Sequence, residues 1–168
     1  MLDFVALALF PGLMLFAAVS DIMTMTIPNR VSLILVAGFF VMAFWTGMAP
    51  AAVGWHVLAG VCVLALCFVL FNFGWVGGGD AKLAAATALW FGFGPLADYG
   101  VVTAIFGGLL TMLIVGLRQI ELPEALRARA WLARLHDKAS GIPYGVALAG
   151  AGLVVYPHTA VWLAAVAH

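Results

Sequence analysis

"AVGWHVLAGVCVLALCFVLFNF", residues 52–73, runs for 22 residues without an aspartate, glutamate, lysine or arginine. About 20 mostly apolar residues are enough for a helix to cross the hydrocarbon core of a bilayer. Directly behind it comes "GWVGGGDAKL", residues 74–83, in which three glycines and an acid separate this apolar run from the next. The first stretch sets the fold class, and the second poses the functional question.

The rest of the chain repeats the first pattern. Of 168 residues, 66% are hydrophobic and 8% charged, with a mean hydropathy of +1.18. No soluble domain of this size keeps such a balance in solution. The expected fold is all-α, a single polytopic membrane domain over 1–168. Polar clusters divide it into six candidate spans, near 4–20, 30–48, 52–73, 81–97, 99–117 and 142–164. Gly92, Gly94 and Pro95 make the end of the fourth the least regular. The N-terminus carries Asp3 and no basic residue ahead of its apolar run, so it reads as a retained span and not a cleaved signal. Cys62 and Cys67, five residues apart inside an apolar run, fit packing better than a zinc or redox pair.

The formal net charge is zero, so nothing points to nucleic acid; only the placement of charge is informative. With alternating spans, 21–29, 74–80 and 118–141 share one membrane side. All seven basic side chains fall at or beside these segments: Arg30, Lys82, Arg118, Arg127, Arg129, Arg134 and Lys138. The positive-inside rule makes that side cytoplasmic and puts both termini outside. Asp3, Asp98, His56, His158 and His168 map to the outer side, with Trp45 and Trp55 near outer span ends and Trp75 near an inner one. Segment 118–140 places Leu122, Leu126, Ala130, Trp131 and Leu135 near helical spacing between arginines. This is the pattern of an interfacial amphipathic helix on anionic lipid, making membrane lipid a partner; a substrate-docking surface is the other reading.

Two acids stand at inner span ends. Asp21 closes the first span and Asp80 opens the fourth, 59 residues later. Taken singly, Asp80 suits a helix N-cap and Asp21 an ordinary interfacial acid. Together they suit something else, because helix ends on one membrane face can meet. Two carboxyls about 3 Å apart share one proton, so one serves as base and the other as acid. Gly77, Gly78 and Gly79 leave bare backbone ahead of Asp80, which an extended chain could approach. Phosphate cradling needs a preceding strand, and none is expected. A metal site is not indicated, since the histidines map elsewhere, and no Ser/His or Cys/His pair competes.

These residues resemble the type IV prepilin peptidases, membrane aspartic proteases with a G-x-G-D signature. "GGGDAKL" fits that signature with Gly77, Gly79 and Asp80, and continues through Lys82 and Leu83. "DIMTMTIPNR" resembles the family's first motif, an acid followed six residues later by Ile27, Pro28 and Asn29. "GIPYGVALAG" adds a softer likeness at Pro143, Tyr144 and Gly145. The resemblance implies Asp21 and Asp80 as the catalytic pair, with Gly77, Gly78, Gly79, Pro28, Asn29, Lys82, Pro143, Tyr144 and Gly145 around substrate or backbone. It implies no cofactor. It also implies a prepilin or pseudopilin precursor as partner, cut after a leader-terminal Gly on the cytoplasmic side of the bacterial inner membrane.

Longer family members carry two C-x-x-C pairs and an N-methylation activity, which is not expected here; the short form resembles peptidases of Flp-type, tight-adherence pili. Lys82 points away from Asp80 on a helix and suits a snorkelling anchor, and Glu121 and Glu124 suit a solvated face. Two rival classes predict otherwise. A small ion- or proton-coupled transporter would carry acids nearer mid-span and two similar halves, and a noncatalytic assembly scaffold would leave Asp21 and Asp80 apart.

Overall fold

The computed structural model describes residues 2–166, with side chains from residue 7. The expected outer-face placement of His168 and of the Asp3 side chain therefore lies outside the described residues. The described elements are all helical: α1 (Leu2–Thr24), α2 (Asn29–Trp45), α3 (Pro50–Asn72), α4 (Gly78–Phe91), α5 (Leu96–Leu117), α6 (Glu124–Arg127), α7 (Ala130–His136), α8 (Tyr144–Val155) and α9 (Ala160–Val166), with a 3-10 turn at Tyr156–His158.

Local chemistry sets these limits. Pro28, Pro95, Pro123 and Pro143 occupy the positions just before α2, α5, α6 and α8, and Pro50 opens α3, where a missing N–H costs no intrahelical bond. Gly47 and Gly74, with φ of 64° and 74°, stand just past the caps of α2 and α3, where a left-handed residue lets the chain leave the helix.

Each of the six apolar segments is helical, but their lengths differ. α3, α5 and residues 7–24 of α1 are long and apolar enough to cross a membrane, and the bent pair α8 and α9 would make a fourth. The last segment is not one straight helix: at the 3-10 turn, Pro157 removes a donor from the ladder, and α9 leaves at 54°. α2 and α4 have 17 and 14 residues. At 1.5 Å per residue they reach about 26 and 21 Å, short of a hydrocarbon core of about 30 Å. Segment 118–141 also departs from expectation. It forms two short helices, α6 and α7, because Arg129 takes an extended conformation between them.

α4 is the centre of the bundle. Every residue from Ala81 to Phe91 except Lys82 is buried, and α2, α3, α8 and α9 all pack on it. Its five alanines, at 81, 84, 85, 86 and 88, present almost no relief, so α3 comes close. A Cβ at Gly60 would lie 3.2 Å from the Ala85 carbonyl oxygen and 3.2 Å from the Leu89 Cβ. Small residues at an interface are the usual means of such approach between membrane helices, where dispersion contacts must replace the hydrophobic effect.

Two polar bonds fix the register of α4. The Trp90 indole donates to the Leu35 carbonyl of α2 at 2.8 Å, and His56 Nδ1 of α3 meets the Leu89 carbonyl at 2.8 Å. Around Trp90, Phe10 and Tyr156 stack with centroids 4.3 Å apart, which ties α1 and the 3-10 turn to the same core. α8 fills the space between α1 and α5.

Gly60→Val is expected to push α3 off α4 and to destabilise the protein by about 1–3 kcal/mol. Gly108→Val, where a Cβ meets nothing within 4 Å, is the matched control. Thermal unfolding of the two variants in detergent, followed by tryptophan fluorescence, gives the comparison: a clear fall in Tm for the first and little change for the second.

Candidate active site

The connections at one end of the bundle are tied to one another. Lys82 Nζ at the start of α4 donates to Asn29 Oδ1 at the start of α2, 2.9 Å away. Arg118, capping α5, donates from Nε to the Leu135 carbonyl at 2.8 Å and from Nη2 to the carbonyls of Ser140 and Gly141 at 2.9 and 2.8 Å. Arg134 reaches the Thr24 carbonyl at 3.4 Å. These bonds tie the start of α4 to the start of α2, and segment 118–141 to the ends of α1 and α5, around one opening.

That opening leads to a cavity of about 700 Å³ whose wall includes both Asp21 and Asp80. Met25, Trp75, Gly77, Ile142 and Tyr144 line its loop side, and Cys67, Ala84, Thr103 and Leu148 its helix side. A smaller cavity of about 290 Å³ lies against the 25–29 turn and the glycine run, and the same two acids face it as well. The pair thus stands between two adjoining spaces, and Asp80 lies within electrostatic reach of Asp21.

Each acid is held by the beginning of a helix. Asp21, in the last turn of α1, is 5% exposed, and its Oδ2 accepts the Gly145 N–H at 2.8 Å. Gly145 is the second residue of α8, so the carboxylate serves that helix as an N-terminal acceptor supplied from another element. Asp80 serves its own helix. Gly77 is the N-cap of α4 and Asp80 the third helical residue, and the carboxylate turns back to a backbone bond with Gly77. The expectation of Asp80 as N-cap is corrected by three positions: it is the acidic member of a capping-box arrangement whose cap residue has no side chain.

The glycines divide by what surrounds them. A Cβ at Gly77 would lie 2.8 Å from Asp80 Oδ2, and one at Gly79 3.3 Å from the Ile27 Cβ and 3.5 Å from its N. At Gly145 it would lie 2.6 Å from Ile27 Cδ1, 2.8 Å from Asp21 Oδ2 and 3.1 Å from Asp21 Cγ. At Gly78 it would meet only the Phe71 ring, at an ordinary 3.5 Å. Of the three consecutive glycines, the first and third are therefore the ones close packing requires.

The other expected residues fall around this centre. Pro28 caps α2 and Pro143 caps α8, so both set helix starts without lining the larger cavity. Asn29 lines the smaller one. Tyr144 lines the larger cavity, its ring against Gly107 and its hydroxyl 3.3 Å from Thr111 Oγ1. Lys82 and Asn29 stand at one end of a separate apolar groove of about 490 Å³ between α2, α3 and α4. His56 and His158 share a cavity at the opposite end of the bundle.

Two wall residues, Thr103 and Cys67, were not expected at the site. Cys67 packs on the core as anticipated but also faces the acids. No spacing rule places a residue of α3 or α5 there, because the helix rotations that do so come from packing of α3 on α4 and of α5 on α8.

Against known proteins, the type IV leader peptidase family matches residues 8–117, a stretch that contains both acids and the glycine run. The chain belongs to that family. A relative from Pectobacterium carotovorum subsp. carotovorum, named prepilin leader peptidase/N-methyltransferase, is 30% identical over 153 residues, covering 79% of this chain and 54% of the relative. The chain thus spans about half the length of the curated relative it matches. No solved structure gives a significant match. In this leader-peptidase-family chain the matched stretch ends with α5, so the α8 amide that holds Asp21 lies beyond it.

Gly145→Ala is expected to collide with Asp21 and Ile27 and to cost about 1–3 kcal/mol of stability. Gly78→Ala should stay within about 0.5 kcal/mol of the parent. Chemical or thermal unfolding of the two alanine variants in the same detergent checks both expectations.

Proposed function

We propose that this chain is an aspartic endopeptidase that removes the leader from prepilin-like precursors, with Asp21 and Asp80 as the catalytic pair. The observation that carries the proposal is that two acids 59 residues apart in sequence open into one cavity, each anchored to a helix N-terminus. Family membership supports the same chemistry, and it favours neither a transporter nor a scaffold.

In this mechanism a water between the carboxyls attacks the scissile carbonyl, and the ionised carboxylate takes its proton. The protonated partner then donates to the departing nitrogen as the C–N bond breaks. The leader leaves with a new carboxyl terminus and the mature protein with a free amine. Anchoring by backbone amides suits this work, since rigid donors hold the acids without blocking the faces that meet water and substrate. The bare backbone of Gly77 to Gly79 would let the peptide on either side of the scissile bond lie close to the enzyme.

For the membrane setting, we place α1 to α5 and the bent α8–α9 unit as six spans, with the acid end cytoplasmic and both termini outside. The clustering of basic side chains supports this orientation in a bacterial inner membrane. The substrate would be cut after the Gly that ends a short basic leader. Segment 118–141, tied over the opening by Arg118, would rest on anionic headgroups beside it. From the relative's name we carry over only the peptidase part.

Asp21→Asn and Asp80→Asn are each expected to lower leader removal by at least about 100-fold, the usual scale for a lost acid or base. Asp98→Asn, at the far end of the bundle, should cleave like the parent. The assay is co-expression of the full chain with a tagged prepilin, read as a mobility shift; full processing by either of the first two variants would end the aspartic reading.

A further inference from the structure

α2 and α3 both pack on α4 and scarcely on each other. The groove of about 490 Å³ between them therefore opens onto the outside of the bundle, with Ala85, Ala86 and Leu89 of α4 in its wall. Leu33 on its α2 side is 67% exposed and Val61 on its α3 side 55%. The apolar length of the groove ends at three polar residues, Lys82, Asn29 and Ser32. Lys82 is the one side chain between Ala81 and Phe91 that is not buried, and this groove is where α4 presents it.

The polar end offers donors to an anion. An ammonium group has three N–H donors and no acceptor, so it meets Asn29 through the amide oxygen, at 2.9 Å. That bond leaves two ammonium N–H groups and the Asn29 NH2 for another partner. Among the described residues no carboxylate pairs with Lys82. Ser32, 8% exposed, adds a hydroxyl one turn along α2. The apolar part has the reach of a lipid chain. It follows α2 from Asn29 to Phe40, about 16 Å at the helical rise, close to half of a hydrocarbon core about 30 Å thick. A helix at least about 10 Å across would need more than about 1,000 Å³ over that length, well beyond the volume of the groove.

We propose that this groove binds one anionic phospholipid from the leaflet at the acid end, with an acyl chain on α4 between α2 and α3 and the phosphate held by Lys82, Asn29 and Ser32. In the orientation proposed above this is the inner leaflet. Charge-assisted hydrogen bonds hold the phosphate, and the chain covers the apolar wall that α2 and α3 leave open. The site is separate from segment 118–141, none of whose residues lines the groove. Asn29 also lines the smaller aspartate cavity, so the headgroup stands beside the acids and clasps the start of α2 to the start of α4. The lipid site depends on the membrane setting and not on the peptidase chemistry.

The test uses the full chain, delipidated in dodecyl maltoside and then given phosphatidylglycerol or phosphatidylcholine with the same acyl chains. Phosphatidylglycerol at about a hundredfold excess over its Kd should raise Tm by at least about 5 °C, and phosphatidylcholine by much less. Lys82→Met should weaken phosphatidylglycerol binding at least about tenfold, the size of one lost bond to a charged group, and Lys82→Arg should keep it. Val36→Trp, which fills the groove from its exposed rim, should remove the shift with Lys82 intact, whereas Arg127→Gln on α6 should keep most of it. Each shift is read against the lipid-free Tm of the same variant, so a lower baseline does not obscure the result. Equal shifts from the two lipids, a parental shift in Lys82→Met or Val36→Trp, or its loss in Arg127→Gln would each overturn the site. In cells co-expressing a prepilin, photo-crosslinking from p-benzoylphenylalanine in place of Leu33 should give an adduct of phospholipid mass. An adduct with the precursor in its place would assign the groove to substrate and overturn the lipid site.

Discussion

The constraint on which the rest of this structure depends is that two carboxyl groups sit inside an apolar bundle. Desolvating a carboxylate costs several kcal/mol unless hydrogen bonds and favourable dipoles replace water. The bundle contains few side chains able to do so, because only 8% of the chain is charged and the basic residues lie in or beside the loops. The backbone supplies the donors, at the one place where helices carry free N–H groups. α8 offers the Gly145 N–H to Asp21, and α4 turns Asp80 back onto Gly77.

That solution explains the glycines better than flexibility does. Gly77, Gly79 and Gly145 all have ordinary negative φ, since only Gly47, Gly74 and Gly92 among the glycines are left-handed. What they provide is room. A methyl group at Gly145 would displace the carboxylate that its amide holds, and one at Gly79 would drive α4 away from Ile27 and the turn after α1. Gly78 meets no such limit. The same economy of volume continues along α4, whose alanines and the facing Gly60 bring α3 close while Trp90 and His56 lock the register through backbone carbonyls. The acids can be placed accurately because the helix that carries one of them is the most buried in the molecule.

The opposite requirement acts at the opening. The two cavities that hold the acids are not roofed by packed helices alone; they are bordered by residues of the 73–77 loop, the 25–28 turn and residues 141–142. Arg118 and Arg134 hold this border with bonds to backbone carbonyls. α6 and α7 are separated at Arg129, whose extended backbone interrupts the helix.

Much of this was legible along the chain. Apolar runs of span length, basic residues confined to alternate connections and two acids at the ends of runs follow from local composition, because hydropathy and charge placement are properties of short segments. They gave six helical segments and the shared end of Asp21 and Asp80, while attention to Gly145 came only from the resemblance to a family motif. Helix length was less legible. α2 and α4 end where Trp45 and Phe91 meet their caps, and the last segment bends at Pro157, so apolar character extends further than helix does. The tertiary structure alone decided that the donor to Asp21 comes from 124 residues away on α8, that Asp80 is third in its helix, and that Cys67 and Thr103 line the same cavity as the acids. These depend on the rotation of each helix about its own axis, which is set by how side chains of several helices interlock, and no local stretch of sequence encodes it.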